Sequence, residues 1–211
     1  LIEILKEINL KKIDLNFNVK VIAVSKTFAL EKILPLIEYG HIDFGENKVQ
    51  EAIEKWTDIK ITNKNLNLHM IGKLQSNKVK QAVKIFDYIH SLDSIKLAKK
   101  ISEEQKKIKK NIKVFIQINS GNEGQKSGIK IDELSDFYKS CINNFNLNII
   151  GLMCLPPADV DPSICFEKML KASKDFSLKE LSMGMSSDYL SAIKYNASFV
   201  RIGSKIFGER N

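Results

Sequence analysis

Eight short apolar runs, each followed by a stretch with helical spacing, succeed one another along the chain almost without a break. The runs at 20–24, 41–45, 66–72, 88–92, 112–119, 147–153, 178–184 and 198–203 are the expected strands. Between them the spacing predicts helices over 29–40, 47–56, 75–86, from Asp93 as N-cap to about 109, 132–143, from Asp161-Pro162 onward, and 186–196. Strands apolar on both faces pair in parallel, with helices covering the sheet. A doubly wound open sheet has the same alternation. The count of eight, with no G-x-G-x-x-G after a strand, instead points to the α/β class and a closed (β/α)8 TIM barrel. No Pro/Gly/Ser-rich linker interrupts the pattern, and 211 residues at 44% hydrophobic can bury one core, so a single domain spanning 1–211 is expected.

Composition then removes several classes of function. The net charge of +8 suggests nucleic acid, but the lysines alternate with Glu and Asp along the helices. The densest run, "EEQKKIKKNIK" (103–113), has no interleaved aromatic residues to stack bases, so no nucleic-acid partner is expected. No apolar run approaches the roughly 18 residues of a membrane span, and "LIEILKEINLKKI" at the N-terminus carries charges throughout, unlike a signal peptide. Cys141, Cys154 and Cys165 include no C-x-x-C pair and read as buried, reduced thiols of a cytoplasmic protein. His41, His69 and His90 are scattered without metal-ligand spacing; no metal site is expected, and His69 reads as packed and hydrogen-bonded.

In a barrel of this type the functional groups gather at the C-terminal ends of the strands. The residues least suited to a purely structural role fall there: Lys26, Glu46-Asn47, Gly72-Lys73, Asn119-Ser120-Gly121, Gly184 to Ser186, and Arg201 to Ser204. Lys26 stands at the tip of the buried run in "VIAVSKTF", where desolvation lowers an amine's pKa and lets the neutral form make a Schiff base with an aldehyde. Ser186, with Gly184 beside it, and Gly203-Ser204 occupy the loops after the seventh and eighth runs, the usual phosphate site of such barrels. A Schiff-base lysine plus a phosphate cradle specifies a phosphorylated aldehyde, of which pyridoxal 5′-phosphate (PLP) is the commonest.

Beyond spacing, "AVSKT" (23–27), "FGENKVQE" (44–51), "HMIGKLQSNKVK" (69–80), "IHSLDS" (89–94), "EGQKSG" (123–128), "GLM" (151–153), "LSMGMSSD" (181–188) and "VRIGSKIFGER" (200–210) occur in order along nearly the whole chain. Together they closely resemble the pyridoxal phosphate homeostasis protein family. The resemblance implies a barrel like that of alanine racemase, with PLP held on Lys26 as an internal aldimine. It implies Ser186, Gly203 and Ser204 at the phosphate, Arg201 facing the pyridine nitrogen, Asn47 lining the ring and Met183 packed near it. An arginine there leaves that nitrogen unprotonated and the cofactor a poorer electron sink. Leu68, Phe28 and Ser204 depart from the family's usual residues; Ser204 keeps the hydroxyl of the usual threonine.

Three functions compete: a carrier that buffers PLP and delivers it to PLP-dependent apo-enzymes, a PLP-dependent amino-acid racemase, and a Schiff-base aldolase acting on a sugar phosphate. A racemase needs a second acid/base group opposite the lysine, and none of the five tyrosines falls in a mouth loop. An aldolase needs paired acids, and Glu46 is the one clear carboxylate near Lys26. The expectation is therefore a PLP homeostasis protein without a dedicated catalytic reaction. A monomer is expected, because the racemase domain that shares a dimeric site is not seen.

Overall fold

The structure, a computed structural model, describes residues 1–11, 18–121 and 127–209. Of the motifs quoted above, "EGQK" (123–126) and Arg210 lie outside the described residues.

Helix α1 (Ile2–Lys11) precedes the barrel and buries Ile4 and Ile8. The strands are β1 (Lys20–Val24), β2 (Asp43–Glu46), β3 (Asn67–Met70), β4 (Tyr88–Leu92), β5 (Lys113–Ile118), β6 (Asn148–Cys154), β7 (Glu180–Met185) and β8 (Phe199–Ile202). They form a closed barrel in chain order, every pair parallel, with β8 returning to β1 through Ile22 opposite Arg201. Helices α2 (Leu30–Glu38), α3 (Val49–Thr62), α4 (Val79–Ile85), α5 (Ile95–Lys107), α6 (Leu134–Asn143), α7 (Pro162–Asp175) and α8 (Tyr189–Lys194) fill the connections, and a short α9 (Ser204–Phe207) follows β8. The expected fold class is the observed one.

Differences are confined to element ends. The third helix runs six residues beyond the expected end at Trp56, because "TDIKIT" contains no helix breaker and Ile59 continues the apolar stripe onto the core. The α5 cap is Ser94, whose side chain accepts the Leu97 N–H, and not Asp93. Asp161 caps α7 as expected, accepting from Ser163 N. Helix α8 begins at Tyr189 instead of 186, which leaves Ser186 in the preceding turn.

Period-2 alternation sorts strand side chains into two cores. One lies between sheet and helices. The other fills the barrel and holds Ile22, Tyr88, Phe115, Met153 and Phe199. This interior also holds Asp43, His69, His90, Ser182 and Arg201, all buried. The histidine rings lie flat against aromatic ones, His69 on Tyr88 at 4.2 Å and His90 on Phe115 at 4.3 Å between ring centres.

Candidate cofactor site at the barrel mouth

A cavity of about 720 Å³ opens at the C-terminal ends of β1, β2, β7 and β8. Its walls include Val24, Lys26, Asn47, Ser186, Arg201 and Ser204. Of the seven residues singled out in the sequence, the structure brings six together here: Lys26, Asn47, Ser186, Arg201, Gly203 and Ser204.

Met183 is the exception. It lies on the same face of β7 as Leu181, opposite Ser182, and is buried in the core beneath the helices. Met185, past the register shift in β7, lines the cavity in its place. Ile71, Leu155, Ser187 and Glu209 also line it. The alternation of "LSMGM" could have excluded Met183, and Gly184, at φ +92 within the irregularity that turns Met185 inward, was the available signal for the latter.

Each wall has a local cause. Lys26 is half-buried just after β1, followed by Thr27 at φ 66, a left-handed conformation that ends the strand sharply. Gly184 has φ +92, and a Cβ on it would lie 2.7 Å from Ala192 Cβ, so a glycine there lets α8 pack against the β7 loop. The Asp188 carboxylate accepts the Met185 N–H at 2.6 Å and closes the turn that carries Ser186. Gly203 caps α9, its carbonyl accepting from the N–H groups of Ile206 and Phe207. Gly72 approaches the Asn47 backbone so closely that a Cβ would lie 2.4 Å from its carbonyl oxygen.

Arg201 reaches the cavity from the end of a polar chain that crosses the barrel interior. Its guanidinium donates to Ser182 Oγ at 2.7 Å and to the Cys154 carbonyl at 2.9 Å. Ser182 Oγ meets His90 Nδ1 at 2.8 Å, His90 Nε2 meets His69 Nδ1 at 3.0 Å, and His69 Nε2 meets Asp43 Oδ1 at 3.1 Å. Burial keeps both rings neutral, and with neutral rings a carboxylate that can only accept at one end and an arginine that can only donate at the other fix every proton between them. Ser182 donates to His90, His90 through Nε2–H to His69, and His69 through Nε2–H to Asp43. Burial, reinforced by the Arg201 charge and by the repulsion a second proton on His69 would meet, puts His90 well below the ordinary histidine pKa; burial also lowers His69, against the pull of Asp43. Burial acts to raise the Asp43 carboxyl, but its bonds to His69 and Asn67 and the charge of Lys20 outweigh that and hold it low. The chain thus fixes the guanidinium's orientation at the cavity wall. Scattered in sequence, His69 and His90 were not read as partners; polar residues at inward-facing positions of otherwise apolar strands were the available signal.

Glu46 does not face the cavity. Its Oε1 accepts from Ser25 Oγ, Lys55 Nζ and Trp56 Nε1, between β2 and α3. Burial raises its carboxyl, opposed by Trp56, Lys55 and Ser25. The paired acids of an aldolase are therefore not assembled beside Lys26 among the described residues. Among the described residues, the titratable groups of the cavity are Lys26, Arg201 and Glu209, with no tyrosine.

Residues 7–211 match the family of the alanine racemase N-terminal domain. The chain is 39% identical over 203 residues to the pyridoxal phosphate homeostasis protein of Pasteurella multocida, covering 92% of this chain and 87% of that one. To the protein of the same name in Escherichia coli it is 33% identical, covering 92% and 86%. Among solved structures it is similar to PipY of Synechococcus elongatus with PLP bound, at 32% identity and a TM-score of 0.81, covering 90% of this chain and 92% of that one. Alanine racemase of Clostridium difficile, at 16% identity and a TM-score of 0.74 over 98% of this chain and 55% of that one, shares the fold.

Proposed function

The chain belongs to the pyridoxal phosphate homeostasis protein family, and we propose that it binds pyridoxal 5′-phosphate through a Schiff base on Lys26, buffering the cofactor and delivering it to PLP-dependent apo-enzymes without a dedicated reaction of its own. The observation that carries this is the convergence of an amine, a serine hydroxyl, a Gly-Ser turn and an arginine on one cavity of about 720 Å³. These groups fit the cofactor's chemistry one for one. The Lys26 amine suits the aldehyde, with a C=N bond formed and the aldehyde oxygen leaving as water. Ser186 and the 203–204 turn suit the phosphate. Arg201 suits the pyridine nitrogen, which it can meet only as a donor; Asn47 lines the ring.

The carrier reading is favoured over a racemase because the described cavity offers no second acid/base group of the tyrosine type opposite Lys26. When bound, PLP supplies an electron sink. The guanidinium, anchored through Ser182 and two neutral histidines to Asp43, keeps that sink weak by giving the ring nitrogen no proton. The protein's own residues therefore bind and orient the cofactor and hold its reactivity down.

An absorption spectrum of the purified protein with added PLP tests this. A violet-region band that borohydride removes, with the cofactor mass fixed on Lys26 and absent from Lys26→Ala, is the expected result. No trapped adduct in the wild type overturns the proposal.

A further inference from the structure

Both peptide bonds that flank Lys26 are tied down by one ionic cluster outside the cavity, and this cluster has no part in the site described above. On the N-terminal side, Ser25 N donates to the Gly45 carbonyl at 3.0 Å, Ser25 Oγ donates to Glu46 Oε1 at 2.7 Å, and the Ser25 carbonyl accepts from Lys55 Nζ at 2.9 Å. On the C-terminal side, Thr27 N donates to Glu51 Oε1 at 2.5 Å. Lys55 joins the two halves, lying 3.0 Å from Glu46 Oε1 and 3.0 Å from Glu51 Oε1, with its side chain only 11% exposed. Trp56 Nε1 donates to the same Glu46 oxygen at 3.0 Å.

The cluster makes poor sense as a source of stability alone. Desolvating such a pair costs about as much as its attraction returns, and Glu46 Oε2 is buried without a hydrogen-bond partner. What it does hold is unusual backbone. Thr27, a β-branched residue, has φ 66, a conformation that persists only where the surroundings impose it. The bond from Thr27 N to Glu51 is one of those impositions, and Lys55 keeps Glu51 in place.

We propose that Lys55, acting through Glu46, Glu51 and the Ser25 carbonyl, is the positioning residue for Lys26, presetting the direction from which its amine meets an aldehyde. This rests on the Schiff-base role of Lys26 and adds to it a control on the rate of covalent capture. Lys55 itself touches neither cofactor nor cavity. A displacement of about 1 Å at a reacting group costs up to about a hundredfold in rate, so loosening the two flanking peptides acts on capture before it acts on affinity for the phosphate and ring.

The test measures two quantities for each variant: the rate at which free PLP becomes borohydride-trappable on Lys26, and the affinity for pyridoxine 5′-phosphate, which has the same ring and phosphate but an alcohol in place of the aldehyde. For Lys55→Met, capture is expected to slow by about tenfold or more with pyridoxine 5′-phosphate affinity unchanged. Should Lys55→Met fail to fold, the more exposed Glu51 decides. Glu51→Ala is expected to slow capture, and Glu51→Gln, which keeps an oxygen for Thr27 N–H, to restore most of it. Capture at the wild-type rate in Lys55→Met or Glu51→Ala overturns the proposal. So does a parallel loss of pyridoxine 5′-phosphate affinity, which marks a general loosening of the site. Wild-type protein that forms no adduct overturns the Schiff-base reading itself, a result distinct from unchanged variants beside a reactive wild type.

Discussion

Single residues at the mouth make separable contributions. If Ser186 donates to the cofactor phosphate, Ser186→Ala loses one charge-assisted hydrogen bond, about 1.5–3 kcal/mol, and PLP affinity falls by about tenfold or more. Affinity for pyridoxal, which lacks the phosphate, is expected to stay at its wild-type value; titration calorimetry with both ligands checks this. Gly184 is constrained twice, by its φ of +92 and by the 2.7 Å approach a Cβ would make to Ala192. Gly184→Ala is expected to destabilise the protein by about 1–3 kcal/mol, read as a lower urea midpoint, and to weaken PLP binding because the Ser186 turn shifts with α8. Lys26, Ser186, Arg201 and the Gly203-Ser204 turn were legible because each is chemically out of place at the end of an apolar run. Met185 was placed at the mouth but given no part in the site, and Glu209 was not singled out: Met185 faces the cavity through a β7 irregularity, and Glu209 reaches it from beyond α9.

Among the elements, the barrel strands carry the polar chain from Asp43 to Arg201, and its protonation sets a pH dependence. His69 and His90 are held neutral in the fold with pKa values below the ordinary one. The unfolded chain takes up protons as pH falls through about 6.5, while the folded barrel refuses them. Their contribution is therefore complete above about pH 6.5 and declines as pH drops, by up to about 1.4 kcal/mol per pH unit for each ring. Urea midpoints at about pH 7.5 and 5.5 are expected to show the decline, and His90→Leu to reduce it while lowering stability at both pH values, since Ser182 and His69 lose a partner. Glu46, raised by burial, shifts stability in the opposite sense at lower pH, and the comparison with the variant cancels it. The helices show how far pattern carries. Strand and helix existence followed from periodicity, whereas the ends depended on local bonds such as the Ser94 cap of α5, which the neighbouring Asp93 could equally have made.

For the whole molecule, the closed barrel is expected to unfold in one cooperative transition and to respond to ligand as a unit. PLP at about a hundred times its dissociation constant adds about 2.7 kcal/mol to stability, and Lys26→Ala is expected to lose most of that gain; thermal melts with and without PLP measure both. Eightfold alternation of apolar run and amphipathic segment was enough to specify strand number and parallel pairing, and the count of eight with no G-x-G-x-x-G after a strand pointed to closure over an open doubly wound sheet. The same pattern located the mouth, since barrel geometry sends every strand's C-terminal end there, and so gathered Lys26 and the phosphate loops from positions some 160–180 residues apart. Barrel closure had to bring the rest together. Asp43, His69, His90, Ser182 and Arg201 come from five strands and become one directed hydrogen-bond chain only when those strands curve round a common interior. The clamp around Lys26 likewise needs α3 packed back over β1 and β2, so that Lys55 meets Ser25 across 30 residues of sequence. Periodicity reports which face of an element is buried; contacts between side chains on different elements arise from their rotation and register, which local sequence does not encode.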